Sequence, residues 1–526
     1  MQKSLRRYVC TPQALVTLFI ITGICLRLWN LPAFFHFTFD EEVFAFVGKR
    51  MFINGHIPLI GGVTPMHVHV APYFYWLSGL ILYVSKLNPL GWGISAALIA
   101  GLTMCVLYQL GRQLFNRTVA LLGVFFYAFS FYQNIFDRHY WGIVFDGIVS
   151  LTVLFSLFKI IRGKEKYIYL LAIALAWGIH ADLSVLTLFV LTFFSWIYFK
   201  PKIKIHVLLI AGGIFFLSFA PLIVFDLKHN FVNISGINKY IQEIKTRKSA
   251  SHSLNPIDIL FFLPRSVARS IYVFGDTDLA KQYSYCKQYS TTRLGEVPPL
   301  AILFVISCFV FLVWKRKTYG NNERIGITLI FILFISTFTG IAIYGFVFNG
   351  DLFDHYLATV FPVFLLVVAY VLYTIFKNKR LILCGIAGTF AIANFLALAN
   401  AHHTYGFADK ARAVAWVIDK TKKSDISLDV LGSCFRYNGY RYLFLLYGKE
   451  PKKSYVDQNF FWLYDHLPAE KHPEITVVIV NPDWQETPEF YSHYQRYKTG
   501  AYDSQYFGRI EVLLVDNKNG EYNGDY

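Results

Sequence analysis

Phe37-Thr38-Phe39-Asp40-Glu41-Glu42 follows directly on the first long apolar stretch, residues 12 to 30, so three carboxylates gather where a membrane span meets water. Charge at a bilayer edge costs free energy unless it is solvated, paired or used, which makes this run a candidate functional site. A simpler role competes with that one. Thr38 to Glu41 has the spacing of a capping box, in which the Glu41 carboxylate returns to the Thr38 amide at a helix start. Asp40 and Glu42 also stand where a helix dipole favours anions and lowers their pKa, so a strong proton acceptor here needs partial desolvation against Phe37, Phe39 or lipid. Glu42 reads as a solvated first-turn residue.

Working outward, Val43, Phe44, Val47, Met51 and Phe52 recur at helical spacing, with Lys49 and Arg50 among the polar positions. The segment is too short and too charged to span, and predicts an interfacial helix closed by Gly55 and Pro58. Tyr73 to Val84 comes next, and whether it crosses decides the topology. If it crosses, the basic loops at Arg112 with Arg117, Arg162 to Lys166, Lys200 to Lys204, Lys315 to Arg324 and Lys377 to Arg380 all lie outside. If it stays at the surface, all five lie inside, as the positive-inside rule requires.

Spans are then expected near 12–30, 92–111, 118–135, 144–161, 167–180, 183–199, 205–225, 297–314, 326–347, 354–376 and 381–400, eleven in all. The C-terminus falls outside and the N-terminus in the cytoplasm, where Lys3, Arg6 and Arg7 flank an uncleaved anchor. Composition agrees: 526 residues that are 55% hydrophobic exceed what one soluble core buries, so the chain reads as polytopic. The net charge of +16 is then mostly cytoplasmic loop charge, with no basic soluble face for nucleic acid. Beyond residue 400 an amphipathic Ala408 to Lys422 precedes strand-like Ile426 to Leu431, Ile475 to Val480 and Ile510 to Val515. This divides the chain into a membrane domain, 1–400, and a small external α/β domain, 401–526. Seven cysteines show no metal spacing, and Cys286 and Cys434, in polar regions, leave a disulfide open.

The external face collects the acidic run, Asp137-Arg138-His139-Tyr140-Trp141, the turn at His180, the long segment 226–296 and Asp354-His355-Tyr356. No phosphate-binding glycine loop or dinucleotide fingerprint is present. A carboxylate that takes a proton from an acceptor hydroxyl, with cations stabilising a departing lipid phosphate, suits this arrangement without any nucleotide site.

Asp40-Glu41, Gly55-His56-Ile57-Pro58, Gly61-Gly62 and Pro72-Tyr73-Phe74-Tyr75-Trp76, followed by Tyr108 to Phe115, Arg138 with Trp141, His180, and His355-Tyr356 with Pro362, together resemble the family 39 glycosyltransferases. These are relatives of the dolichyl-phosphate-mannose protein mannosyltransferases and of the lipid A aminoarabinose transferase, in the GT-C superfamily. The resemblance covers roughly residues 10 to 400 and rests on the order of individually weak motifs. It implies a mainly α, GT-C type membrane protein of the cytoplasmic membrane, and inverting transfer of a sugar from a polyprenyl-phosphate carrier to a protein, lipid or glycan acceptor. Asp40 matches the family's catalytic aspartate and Glu41 completes its acidic pair.

Arg138 matches a position near the carrier phosphate. Relatives carry a lysine or histidine before Pro-Pro, so here that basic role passes to His67 or His69, and Arg265 is a further phosphate candidate. His180, His355 and Tyr356 are pocket candidates. No cofactor is required. A divalent metal would have Asp40, His67 and His69 to draw on, an incomplete ligand set. A lipid-linked sugar transporter or flippase is the rival reading, but it expects midplane charge or paired halves, and here charge concentrates on one face.

Overall fold

The computed structural model describes residues 12–64, 67–247, 255–272, 297–348, 352–403, 405–422, 424–432, 439–469, 473–481 and 488–517. Lys3, Arg6, Arg7, Cys286 and Cys434 lie outside them. Each of the eleven apolar stretches is helical over most of its length. Five described helices are long and apolar enough to cross a membrane: Leu90–Leu114, Gly142–Ile161, Pro299–Thr318, Asn321–Val347 and Arg380–Asn400. A sixth crossing is formed if Ile205–Leu217 and Ala220–Lys228, bent by 53°, are one span. The protein is therefore an integral membrane protein built mainly of helices. The expected span at 354 starts later, at Phe361, because Pro362 suits a first helical turn and residues Asp354–Leu357 form a separate 3-10 turn.

The first span, α1 (Pro12–Leu28), ends where α2 (Phe39–Ile53) begins after a short turn. Helix α3 (Tyr73–Val84) has 12 residues, about 18 Å of helix, against a hydrocarbon core of about 30 Å. It packs on α2. The close approach is permitted by two glycines: a Cβ on Gly48 would stand 2.9 Å from the Gly79 Cα. The end of α1 is locked to the loop that carries Asp137 by a buried ion pair, Arg27 Nη2 to Asp137 Oδ2 at 2.6 Å.

The long segment 226–296 carries helices of its own. It contains α4 (Val232–Arg247) and α5 (Pro256–Ala268), the latter started by Asn255, whose side chain accepts from the Ile257 amide, with Pro256 in the first turn. Helices α6 (Pro299–Trp314) and α7 (Asn321–Phe348) stand beside α5 and enclose with it an apolar groove of about 760 Å³. Leu260, Phe261 and Pro264 of α5 face Phe309 and Val313 of α6 and Phe331 of α7 across it.

After the last span, α8 (Phe407–Lys420) leads into a five-stranded sheet: β1 (Ile426–Leu431), β2 (Lys453–Ser454), β3 (Ile475–Val480), β4 (Ala501–Phe507) and β5 (Ile510–Asp516). Its order is β2-β1-β3-β5-β4, with β1 parallel to β2 and β3, and β5 antiparallel to β3 and β4. The three central strands are nearly continuous apolar runs because both faces are covered. This segment rests on α2. Phe39 meets Phe460 at 5.4 Å between ring centroids, Phe46 meets Tyr442 at 5.3 Å, and Lys49 pairs with Asp465.

Candidate active site

The three carboxylates at the head of α2 have three different surroundings. Asp40 is open to solvent yet densely ringed by protein, as a side chain on the wall of a cleft is, and its pKa is raised to about 6. Burial is the main cause and the Glu41 charge adds to it, while His139 opposes both. The dipole effect expected at a helix start is thus outweighed by desolvation. Tyr75 of α3 lies within electrostatic reach, its phenol pushed up by burial and then by the Asp40 charge.

Glu41 is fully buried and completes the capping box, its Oε2 accepting from the Thr38 amide at 3.0 Å. Its other oxygen accepts from His139 Nε2 at 2.8 Å. Burial pushes its pKa up, but His139 and the Thr38 amide outweigh that and hold it below the ordinary carboxylate value. Glu42 differs from the solvated residue expected from sequence. It is fully buried and accepts from the Tyr442 amide at 2.9 Å, and burial raises its pKa to about 7 despite that bond. The cause is a partner 400 residues away in the chain, which no local pattern could signal.

His139 was not singled out from the sequence, although it sits between two residues that were. Its ring stacks on Trp141 at 4.3 Å and meets His36 edge-on at 4.6 Å. Trp141 in turn meets His355 at 4.7 Å, and His355 meets Tyr356 at 4.6 Å. Burial, helped by His139, pushes His355 down to about 3, which keeps its ring neutral. Two of the expected pocket residues, His355 and Tyr356, are therefore joined to the acidic helix through Trp141 and His139. Asp354, their neighbour, accepts from Ser266 Oγ at 2.7 Å and pairs with Arg269. These contacts fasten the end of α5, and with it the apolar groove, to the same cluster.

Other sequence candidates have different tasks. Arg138 is buried and donates to the carbonyls of Leu26, Arg27 and Trp29 at 2.6, 3.0 and 3.0 Å, so it caps the end of α1, with its guanidinium over the Phe34 ring. The cluster of helix-end carbonyls beside it carries no signal in the sequence.

His67 Nε2 bonds to Glu243 at 3.0 Å and His69 to Asn233 at 2.9 Å, so both histidines dock α4. His180 bonds to Ser218 Oγ at 3.0 Å against the rings of Tyr73 and Phe219. Arg265 donates to Asp258 at 3.0 Å on α5, next to groove-lining Pro264. Among the described residues no three His, Cys, Asp or Glu side chains converge as a metal site, so Asp40, His67 and His69 do not supply one.

The helical body, the short helices beside it and the C-terminal sheet together share their fold with solved structures at low sequence identity. In particular, the chain is similar to ArnT from Cupriavidus metallidurans bound to undecaprenyl phosphate, with a TM-score of 0.54 at 11% identity over 95% of this chain and 97% of that one. It is also similar to the Archaeoglobus fulgidus oligosaccharyltransferase in its apo form, with a TM-score of 0.51 at 12% identity over 91% of this chain and 70% of that one. The same enzyme in complex with Zn and sulfate gives 0.52 at 12% identity, over 91% and 69%. No protein-family model matches the chain, and no curated protein matches it in sequence.

Proposed function

We propose that this chain is an inverting glycosyltransferase that moves a sugar from a polyprenyl-phosphate carrier to an acceptor hydroxyl on the external face of the membrane. One observation carries the reading. A solvent-open carboxylate with a pKa raised to about 6 stands on a cluster that runs without a break, Glu41 to His139 to Trp141 to His355, to the anchor of an apolar groove. A lipid-borne donor needs that combination of a dry groove beside a wet base, and a neighbour in fold has been solved with undecaprenyl phosphate.

In this mechanism Asp40 takes the proton of the acceptor O–H as the oxygen attacks the anomeric carbon. The bond from that carbon to the phosphate oxygen breaks, and its electron pair leaves with the polyprenyl phosphate. A single displacement inverts the anomeric configuration. Glu41 is too buried to meet an acceptor, so it acts through position: it fixes the first turn of α2 and the tautomer of His139. Arg265, on the groove helix, is the sequence candidate best sited for the departing phosphate. The eleven-span topology, with both the acidic helix and the C-terminal sheet outside, belongs to the same proposal. A domain boundary near residue 400 belongs to it too.

The test is Asp40→Asn in purified full-length protein given a panel of polyprenyl-phosphate sugars. Loss of a positioned base costs about 10²- to 10⁴-fold in transfer, while binding of undecaprenyl phosphate is retained. Full transfer activity in a folded Asp40→Asn protein would remove the base from the mechanism.

A further inference from the structure

We infer that the C-terminal segment supplies a positioning residue to the acidic site: Lys410 of α8 holds the backbone turn that aims Asp40. This rests on Asp40 being the base. The Lys410 amine is buried beneath the head of α2 and donates to the Phe37 carbonyl at 2.6 Å, one residue before the Thr38 cap. Its cation lies over the rings of Tyr405 at 4.5 Å and Tyr440 at 5.2 Å. Thr38 is therefore held from two sides. Its own amide is bonded by Glu41 of the same helix, and the carbonyl preceding that amide is bonded by Lys410 from the other end of the chain. The peptide unit between Phe37 and Thr38 cannot rotate without breaking one of these bonds, and Asp40 follows it by half a helical turn.

The surroundings make the lysine specific to this task. Glu41 and Glu42 both act on it and favour its charge, although burial dominates and brings its pKa down to about 7. His36 and His403 also lie near it, and burial, helped by the lysine's charge, pushes both imidazoles down and keeps them neutral. Three further bonds hold α8 and the following helix against the first external loop. The Phe407 amide donates to the Phe35 carbonyl at 3.1 Å, the Tyr442 amide to Glu42 at 2.9 Å, and the Tyr442 hydroxyl to the Leu87 carbonyl at 2.8 Å. Removing Lys410 leaves these in place, so the sheet stays docked while the turn above it loses its bond. Local effects can thus be separated from detachment of the whole segment.

The experiment uses the full chain in lipid nanodiscs, comparing Lys410→Met and Lys410→Arg with the parent by amide hydrogen exchange and by steady-state transfer. Lys410→Met is expected to speed exchange of the amides of residues 38–44 by about tenfold while amides in the spans and in the sheet keep their rates. In transfer from the carrier sugar used by the parent, kcat falls about tenfold or more at unchanged KM, because a misaimed base slows chemistry without weakening donor binding. Lys410→Arg, which keeps a charged donor, recovers most of both. Parental exchange in Lys410→Met overturns the inference, as does faster exchange throughout the chain, or a raised KM with unchanged kcat. Failure of the base assignment reads differently: Asp40→Asn would retain transfer, whatever the exchange rates of Lys410→Met.

Discussion

The raised pKa of Asp40 fixes the shape of the acid side of the pH profile. A base works when ionised, so activity is present above its pKa and is lost as pH falls through it. With a pKa of about 6, about nine tenths of Asp40 is ionised at pH 7 and about one tenth at pH 5, so kcat/KM falls about tenfold across that window. An aspartate at its ordinary value of 3.8 would lose less than about a tenth of its activity over the same interval.

The causes of the shift give two variants with opposite signs. Glu41→Gln keeps a side chain that serves in a capping box but removes the neighbouring anion, so the midpoint moves to lower pH. His139→Asn removes the imidazole that opposes the shift, so the midpoint moves to higher pH. The assay is release of polyprenyl phosphate against pH, read for its midpoint and not its height, since both variants also lower the rate. A parental profile flat down to about pH 5, or midpoints moving the same way in both variants, would refute the electrostatic account.

Arg27→Met leaves Asp137 buried without its partner and is expected to lower stability by about 3–5 kcal/mol in detergent unfolding, with Arg27→Met/Asp137→Leu less affected than the single change. Gly48→Val puts a Cβ 2.9 Å from the Gly79 Cα of α3 and costs about 1–3 kcal/mol, read by the same unfolding curve. Topology is checked by single cysteines in a chain made otherwise cysteine-free: one at Lys86 is labelled by an impermeant reagent from outside, and one at Arg112 only after permeabilisation.

Much of the fold was legible because it follows from local rules. Apolar stretches had to become helices to satisfy their backbone in lipid. The run Tyr73 to Val84 was readable as a helix of its own, and it forms one of 12 residues packed on α2. Strand boundaries after residue 400 were also readable, since β1, β3 and β5 are rich in β-branched residues and leucine. The breaks at Ser130 and Ser218 and the helices within 226–296 were not, because they depend on packing that composition averages away. Arg138 shows the same limit on the side of function. Nothing in the sequence pairs Arg138 with the carbonyls at the end of α1, to which its guanidinium donates.

The acidic run shows where the boundary between legible and illegible falls. Glu41 obeys a rule that spans three residues, so its capping role could be read from Thr38 onward. Asp40 needed one thing the sequence could only require and not supply, a desolvated cleft wall to overcome the helix dipole. Glu42 needed two elements from the far end of the chain, the Tyr442 amide and the Lys410 amine, and without them it was indistinguishable from a solvated residue. The progression is one of range: a helical turn, a cleft, a whole chain. It also shows how the C-terminal segment, which carries no motif of its own, reaches a helix 370 residues before it: the Tyr442 amide bonds Glu42 and the Lys410 amine bonds the Phe37 carbonyl.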